Sequence, residues 1–318
     1  MNRLRCLLGT GLAALHFAAW AFPVTVDSCG EPLTFSAPPK RAVVQDLNMT
    51  EMMLALGLRD RMVGVAGISG WYKTGPEFKA ALGKVPELAP KYPSLETLLA
   101  VSPDFYFSGW YYGMEPGGEV TPATLAPYGI RTLVLSESCI HLHKDASAAT
   151  MDLLYRDMLK LGRIFGKTVE AEALVTRWKQ RLAALPMPSG ARPRVFLYDS
   201  GEDKPFTAGR HAIAHAMIET AGGRNVLEGM NKSWATTSWE AVAAQNPQFL
   251  ILLDYQDGAN LQRLLRVLRS HPAMRETDAV KSQRFIPLRY SELTPGPANI
   301  GAIEKLAAAL RTVPRDSP

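Results

Sequence analysis

The chain has 318 residues, a formal net charge of +5, 47% hydrophobic and 20% charged residues, and three cysteines. That length is enough for a large core and two domains. The positive balance is mild and no run of Lys or Arg occurs, which argues against a nucleic-acid partner.

Residues 1–21 open with Arg3 and Arg5, run through an apolar stretch and end in Ala19-Trp20-Ala21, the pattern of a cleaved export signal. The stretch is short for a spanning helix, contains His16 and is followed at once by Pro23. Cys6 falls inside this leader and lacks the small-residue context of a lipoprotein. Loss of Arg3 and Arg5 lowers the charge by two, to +3, and the mature chain is expected in the periplasm. Cys29 and Cys139 then remain in an oxidising compartment. They are either two separate buried thiols or, as an even count suggests, a disulfide tying the N-terminal arm (22–40) to the loop after strand 132–135. No Cys-x-x-Cys spacing supports redox chemistry, and two thiolates alone do not make a zinc site.

In the N-terminal lobe (41–146), strands are predicted at 41–47, 61–66, 105–108 and 131–135. Helices are predicted at 50–58, ending near Gly57, and at 95–101, and segment 122–128 leads through Gly129 into the last strand. This alternation predicts parallel strands with crossover helices. Leu154, Met158, Leu161 and Phe165 recur at helical spacing, so residues 151–165 read as the stiff core of an interlobe segment (147–169). The C-terminal lobe (170–318) begins with helix 171–185 and a Pro-, Ser- and Gly-rich stretch. It continues with strand 195–198, helix 211–221, a Gly222-Gly223 turn, helix 239–244, strand 249–253, helix 261–268, strand 285–287 and helix 298–310. The expected class is α/β: two Rossmann-like lobes joined by a single long helix, with a cleft between them.

The two lobes share an internal echo. Ser94-Leu95-Glu96, Ala100, Pro103 and Phe105 match Ser238-Trp239-Glu240, Ala244, Pro247 and Phe249 at identical spacing. Each Ser can cap its helix, each Glu sits where the helix dipole favours an anion, and each Pro stops the helix before an apolar strand. Both copies can be simple well-capped units, or each can present a glutamate to a pseudo-symmetric partner.

The order of these stations resembles the periplasmic binding proteins of ABC importers for iron-siderophores, vitamin B12 and haem. The stations run from Arg41-Ala42-Val43-Val44 and Asn48-Met49-Thr50-Glu51, through Leu161-Gly162-Arg163-Ile164-Phe165-Gly166 and Gly222-Gly223-Arg224-Asn225, to Asn246-Pro247. The resemblance covers about residues 41–310. It implies a monomeric receptor that closes modestly on a metal chelate and delivers it to a permease dimer in the inner membrane. Glu96 and Glu240 are then the carried-over docking pair, while Glu51 serves its own helix or the cleft. No cofactor is implied. A ferric siderophore is the expected cargo, with cobalamin or haem as the alternatives.

Loops beyond the C-terminal ends of parallel strands face the usual ligand crevice. They supply Trp71, Tyr72, Lys73, Lys91, Tyr92, Trp110, Tyr111 and Tyr112 from the first lobe, and Arg210, His211, Trp234, Tyr255, Arg289 and Tyr290 from the second. Of these, Trp71, Tyr72, Tyr92, Trp110, Tyr111, Arg210, Trp234, Tyr255 and Arg289 are the expected ligand contacts. Aromatic faces pack on a flat chelate, and hydroxyls and guanidinium forks bind its oxygens. His141 and His143 would share one face of a strand, as metal ligands, as cleft contacts or as a solvated pair. His211 and His215 share a helical face but lack the Glu and third ligand of a zinc site. Ser69 and Ser108 end strands without a nucleophile elbow or an ordered His and Asp, and no phosphate-binding glycine motif occurs. An enzyme is therefore not expected. An exported hydrolase and a signalling receptor of the same fold are the remaining alternatives.

Overall fold

The computed structural model describes residues 22–70, 74–142, 147–187, 190–255 and 259–312. The export signal expected at 1–21, and Trp71, Tyr72, Lys73 and His143, lie outside the described residues. The arm is a hairpin of β1 (Val24–Ser28) and β2 (Glu31–Phe35), paired antiparallel from Val24 with Phe35 to Ser28 with Glu31. Its two-residue turn, Cys29-Gly30, has φ values of 54° and 87°. Two successive left-handed residues are what a type I′ turn requires, and Gly30 adopts its value without a Cβ penalty. This turn carries Cys29 to Cys139, and the predicted disulfide is present, with Cα atoms 5.2 Å apart.

The first lobe contains β3 (Ala42–Gln45), α1 (Leu47–Ala55), β4 (Met62–Ala66), α2 (Pro76–Leu82), β5 (Glu87–Ala89) and α3 (Leu95–Ala100). It continues with β6 (Phe105–Trp110), β7 (Gly113–Met114), α4 (Pro122–Leu125) and β8 (Arg131–Val134). All sheet pairings are parallel: β5, β4, β3 and β6 lie in that order, and β6 also pairs with β8 and, at its end, with β7. A 3-10 turn, Ser136–His141, leaves this sheet, so His141 is not on the strand expected for it.

The lobes are joined through α5 (Asp152–Ile164) and α6 (Thr168–Ala183). Leu154, Met158 and Leu161 of α5 are fully buried, as their spacing requires, each contributing about 1.5–3 kcal/mol of apolar burial. Gly162 lets the two helices touch: a Cβ there would lie 2.5 Å from that of Ala171. While α5 packs on β1 and the 3-10 turn of the first lobe, α6 packs on α5 and on the last helix of the second lobe. The connector therefore adheres to both bodies and shares one large core with them.

The second lobe comprises β9 (Arg194–Tyr198), β10 (Phe206–Ala208), α7 (Ile213–Thr220), β11 (Arg224–Asn225), β12 (Trp234–Thr236), α8 (Trp239–Ala244) and β13 (Phe249–Asp254). It ends with α9 (Asn260–Ser270), α10 (Asp278–Lys281), β14 (Phe285–Arg289), α11 (Tyr290–Leu293) and α12 (Ala298–Leu310). Its parallel sheet has the order β11, β9, β13, β14, and β10 pairs antiparallel with β12 beside it. In each lobe the first strand of the parallel sheet, β3 or β9, pairs directly with the strand that follows the Ser-x-Glu helix, β6 or β13. The echo extends to the backbone, because Ser102 and Asn246, each just before its Pro, have φ of 44° and 42°. No described helix is long and apolar enough to cross a membrane.

Candidate functional site

The ends of β3, β6, β9 and β13 converge on a cavity of about 580 Å³ between the lobes. That lies within the ~300–1,000 Å³ of small-molecule sites. Five tyrosines line it, Tyr92, Tyr111, Tyr112, Tyr255 and Tyr290, with Phe206 and Trp234. Its polar residues include Asp46, Asp199, His141 and Lys232, and no arginine lines it among the described residues.

Strand alternation and two turns place these rings. Along β6, Tyr106 and Trp110 point to one core and Phe105 and Phe107 to the other. Trp110 is therefore buried, at 7% exposure, in the cluster that also holds Cys29, and it is not a cleft residue. The next residue, Tyr111, takes a left-handed φ of 62° and swings into the cleft, where it is 52% exposed. Its carbonyl accepts a hydrogen bond from the Tyr92 hydroxyl at 2.6 Å, and its ring meets His141 edge-on at 4.6 Å. Trp234 reaches the cavity from β12, stacked 6.0 Å from Phe206 of the paired strand. Tyr255 stands the same distance beyond Ser238 as Tyr111 stands beyond Ser94, so the repeat supplies one cleft tyrosine per lobe.

Two other expected contacts lie elsewhere. Arg289 lines a neighbouring depression with Glu51, and both its backbone N–H and its Nε donate to Glu292 Oε2, at 2.9 and 3.1 Å. Arg210 sits at the lobe junction, where its carbonyl accepts from Ala149 N–H at 2.8 Å. There the chain enters the connector, and Arg210 is not among the residues that line the cavity. Glu96 and Glu240 are exposed in the first turns of α3 and α8. Ser94 and Ser238 cap these helices alike, each Oγ accepting a backbone N–H at 3.1 Å.

Residue patterning had not singled out the acidic component. Three buried carboxylates each accept a tyrosine hydroxyl: Asp46 from Tyr290 at 2.8 Å, Asp199 from Tyr255 at 3.1 Å, and Glu137 from Tyr112 at 3.3 Å. One of these bonds bridges the lobes, and one of the three acids takes a further bond that does the same. Asp46–Tyr290 does so directly, and Glu137 also accepts the Ile213 N–H of α7 at 2.6 Å. Asn48 adds a third tie, donating through Nδ2 to the Pro295 carbonyl at 2.7 Å. A position just after a predicted strand was the available signal for Asp199, whereas Asp46 fell inside the strand predicted at 41–47 and carried none.

Burial raises all three carboxyls, and the donated hydrogen bonds offset only part of it. Asp46 is raised from 3.8 to about 7, Glu137 from 4.5 to about 7, and Asp199 from 3.8 to about 6. The folded protein thus binds protons that the unfolded chain releases between about pH 4 and 7. Stability from these groups is present in full below about pH 4 and is lost as pH rises through 6 to 7. Glu292 works in the opposite sense: burial would raise it, but Lys305 and Arg289 hold it below its ordinary value. In thermal unfolding of the ligand-free protein, Asp46→Asn and Glu137→Gln are expected to flatten the decline between about pH 4 and 7, by on the order of 2–4 kcal/mol each. An unchanged slope in both variants would contradict this assignment.

His141 is held below its ordinary value by burial and then by Lys232, so it faces the cavity as a neutral imidazole at neutral pH. His211 and His215 are spent internally, the first on Ser147 O and Asn231 Oδ1 and the second near Asn225. Among the described residues no group of three or more His, Cys, Asp or Glu is arranged to hold a metal ion.

Comparison with known proteins gives the same architecture. The chain is similar to a periplasmic binding protein from Veillonella parvula, with 31% identity, a TM-score of 0.79 and 91% and 98% of the two chains covered. It is also similar to a protein of an ABC-type Fe3+-hydroxamate transport system from Saccharomonospora viridis, with 25% identity, a TM-score of 0.75 and 91% and 99% covered. A cobalamin-binding protein of Halobacterium salinarum is 26% identical over 243 residues, which are 73% of this chain and 59% of that relative's length. The sequence profile of the periplasmic binding protein family matches residues 43–290. Two parallel α/β lobes around an aromatic cleft, spanned by that profile, make this chain a member of the periplasmic binding protein family, a family of transport and binding proteins rather than enzymes.

Proposed function

We propose that this protein is the periplasmic receptor of an ABC importer for a metal chelate, and that its cargo is a corrinoid of the cobalamin type. The observation that carries the reading is the cavity wall: stacked and edge-on aromatic rings with tyrosine hydroxyls, two buried aspartates, and no arginine among the described residues. A corrin is flat and broad, which suits the rings, and its rim carries amides, which donate to carboxylates and exchange hydrogen bonds with hydroxyls. Haem brings two carboxylates and a ferric tricatecholate carries net negative charge. Lys232 and a neutral His141 offer little to balance either beside Asp46 and Asp199. Similarity to a cobalamin-binding protein over 73% of the chain supports the same cargo. The iron-siderophore first expected from sequence is the weaker fit, with a neutral or cationic hydroxamate as its best form.

The loaded receptor presents Glu96 and Glu240, one per lobe, to the permease, and a monomer suffices because one chain carries both contacts. The buried ties Asp46–Tyr290, Glu137–Ile213 and Asn48–Pro295 keep closure modest.

Binding is tested by intrinsic fluorescence and calorimetry with cyanocobalamin, ferric hydroxamate, ferric tricatecholate, haem and free metal ions. Saturable binding of cyanocobalamin is expected. Trp234→Ala should weaken it about 10–100-fold, the range for a buried aromatic anchor. Trp110→Phe should leave it unchanged. Binding of haem or an anionic siderophore alone would overturn the cargo, and binding of free metal alone would overturn the chelate reading.

A further inference from the structure

The two aspartates of the cavity occupy corresponding places in the repeat. Asp46 directly follows β3 and Asp199 directly follows β9, the first strand of each parallel sheet. Each is 5% exposed, each lines the cavity, and each accepts a hydroxyl from a cleft tyrosine, Tyr290 or Tyr255. Those two tyrosines stack on one another with ring centres 6.3 Å apart. One buried carboxylate therefore enters from each lobe, and a connected pair of rings lies between them.

We infer that Asp46 and Asp199 form a two-lobed carboxylate clamp that selects chelates presenting N–H donors and rejects chelates presenting carboxylates or net negative charge. An ionised carboxylate is acceptor-only, and its two oxygens together offer about four lone-pair sites, of which Asp46 gives one to the Tyr290 hydroxyl and one to Leu47 N–H. A ligand amide or ammonium placed against it supplies a charge-assisted hydrogen bond where water is excluded. A ligand carboxylate at the same place meets a like charge that the site cannot solvate. Because the clamp draws one group from each lobe, a ligand satisfies both only when it spans the cleft. Tyr255 and Tyr290 act as positioning residues that fix the carboxylates' orientation. The clamp rests on the cavity being a chelate site, whether its cargo is a corrinoid or a hydroxamate.

The test compares dissociation constants near pH 7.5 for two matched pairs of probes. The first is cyanocobalamin against its mild-acid hydrolysis products, in which rim propionamides are carboxylates. The second is ferrioxamine B, a cationic hydroxamate, against a trianionic ferric tricatecholate. The wild-type protein is expected to favour the amide or cationic member by about tenfold or more, the scale of one like-charge contact. In the Asp46→Asn/Asp199→Asn variant that ratio should fall to within about threefold, chiefly through tighter binding of the anionic member. Asp46 caps α1, so Asp199→Asn alone, with near-UV circular dichroism to show the native fold, keeps the test valid should the double variant misfold.

Wild-type binding of cyanocobalamin with no discrimination between amide and carboxylate would overturn the clamp and leave the corrinoid reading intact. Binding of ferrioxamine B but no corrinoid, with discrimination that the variants erase, would overturn the corrinoid reading and support the clamp. Discrimination that survives in both Asp variants would overturn the clamp, as would failure of all four probes to bind, which would also remove the chelate reading.

Discussion

Reversing both surface charges, Glu96→Lys with Glu240→Lys, is expected to reduce uptake of the bound chelate to background, about tenfold or more below wild type. Its dissociation constant should stay within about twofold, since neither residue lines the cavity. Both glutamates are exposed in the first turn of a Ser-capped helix, and neither joins an ion pair among the described residues. Their carboxylates therefore face outward from equivalent points on the two lobes. A partner with matching basic residues would gain both contacts only when it engages both lobes at once. Lysine in a helix's first turn opposes the dipole by about 0.3–1 kcal/mol, so the fold survives and the loss is one of recognition. Transport assayed with the cognate permease, beside calorimetry on the isolated receptor, separates the two. Intact uptake by the double variant would remove these residues from the docking surface. A single reversal is expected to fall between wild type and the double variant.

Replacing the disulfide, as Cys29→Ala/Cys139→Ala, is expected to cost up to about 4.7 kcal/mol, the chain-entropy value for a loop of roughly 100 residues. The two cysteines are 110 residues apart in sequence, so the bond restricts a large share of the unfolded chain. Its effect should also reach the cleft. Cys139 belongs to the same 3-10 turn as Glu137, which accepts Ile213 N–H across the lobes, and His141, which packs on Tyr111. Chemical denaturation should show the lower midpoint, and chelate binding should weaken in parallel as that turn loses its anchor. A midpoint equal to wild type would mean that hairpin and turn are already fixed by packing, chiefly through Trp110 and the Ser28 Oγ contact to Val134 N–H at 3.0 Å.

Much of the architecture was legible because its periodicities are local and strong. Residues 239–244 and 298–310 were predicted as helices and are α8 and α12 without a shift. The connector showed itself through Leu154, Met158 and Leu161, whose spacing has one solution, a helix with a buried stripe. Short elements did not register. The 3-residue β5, β10 and β12 and the 4-residue α10 and α11 are shorter than the window over which a period can be counted. Helix α1 begins at Leu47 rather than residue 50, because the Asp46 side chain accepts the Leu47 N–H at 2.7 Å and fixes the helix start there.

The cleft divides along the same line. Tyr92, Tyr111, Trp234 and Tyr255 could be chosen from sequence because aromatic residues in loops after parallel strands have few other places to go. Trp110 and Tyr111 are neighbours with opposite fates, one in the core and one in the cavity. A single left-handed residue at the strand end decides which ring turns inward. The tyrosine-held carboxylates depended wholly on long-range contact. Asp46 meets Tyr290 and Glu137 meets Ile213 only after two lobes have packed around a connector, and nothing in the local sequence of either acid records its partner. By itself the sequence determined the alternation of strands and helices, the repeat that pairs Glu96 with Glu240, and the aromatic supply of the cleft, all set by short-range periodicity and capping. The tertiary structure decided which side chains face the ligand and which carboxylates are buried, because burial and hydrogen-bond partnership belong to segments far apart in the chain.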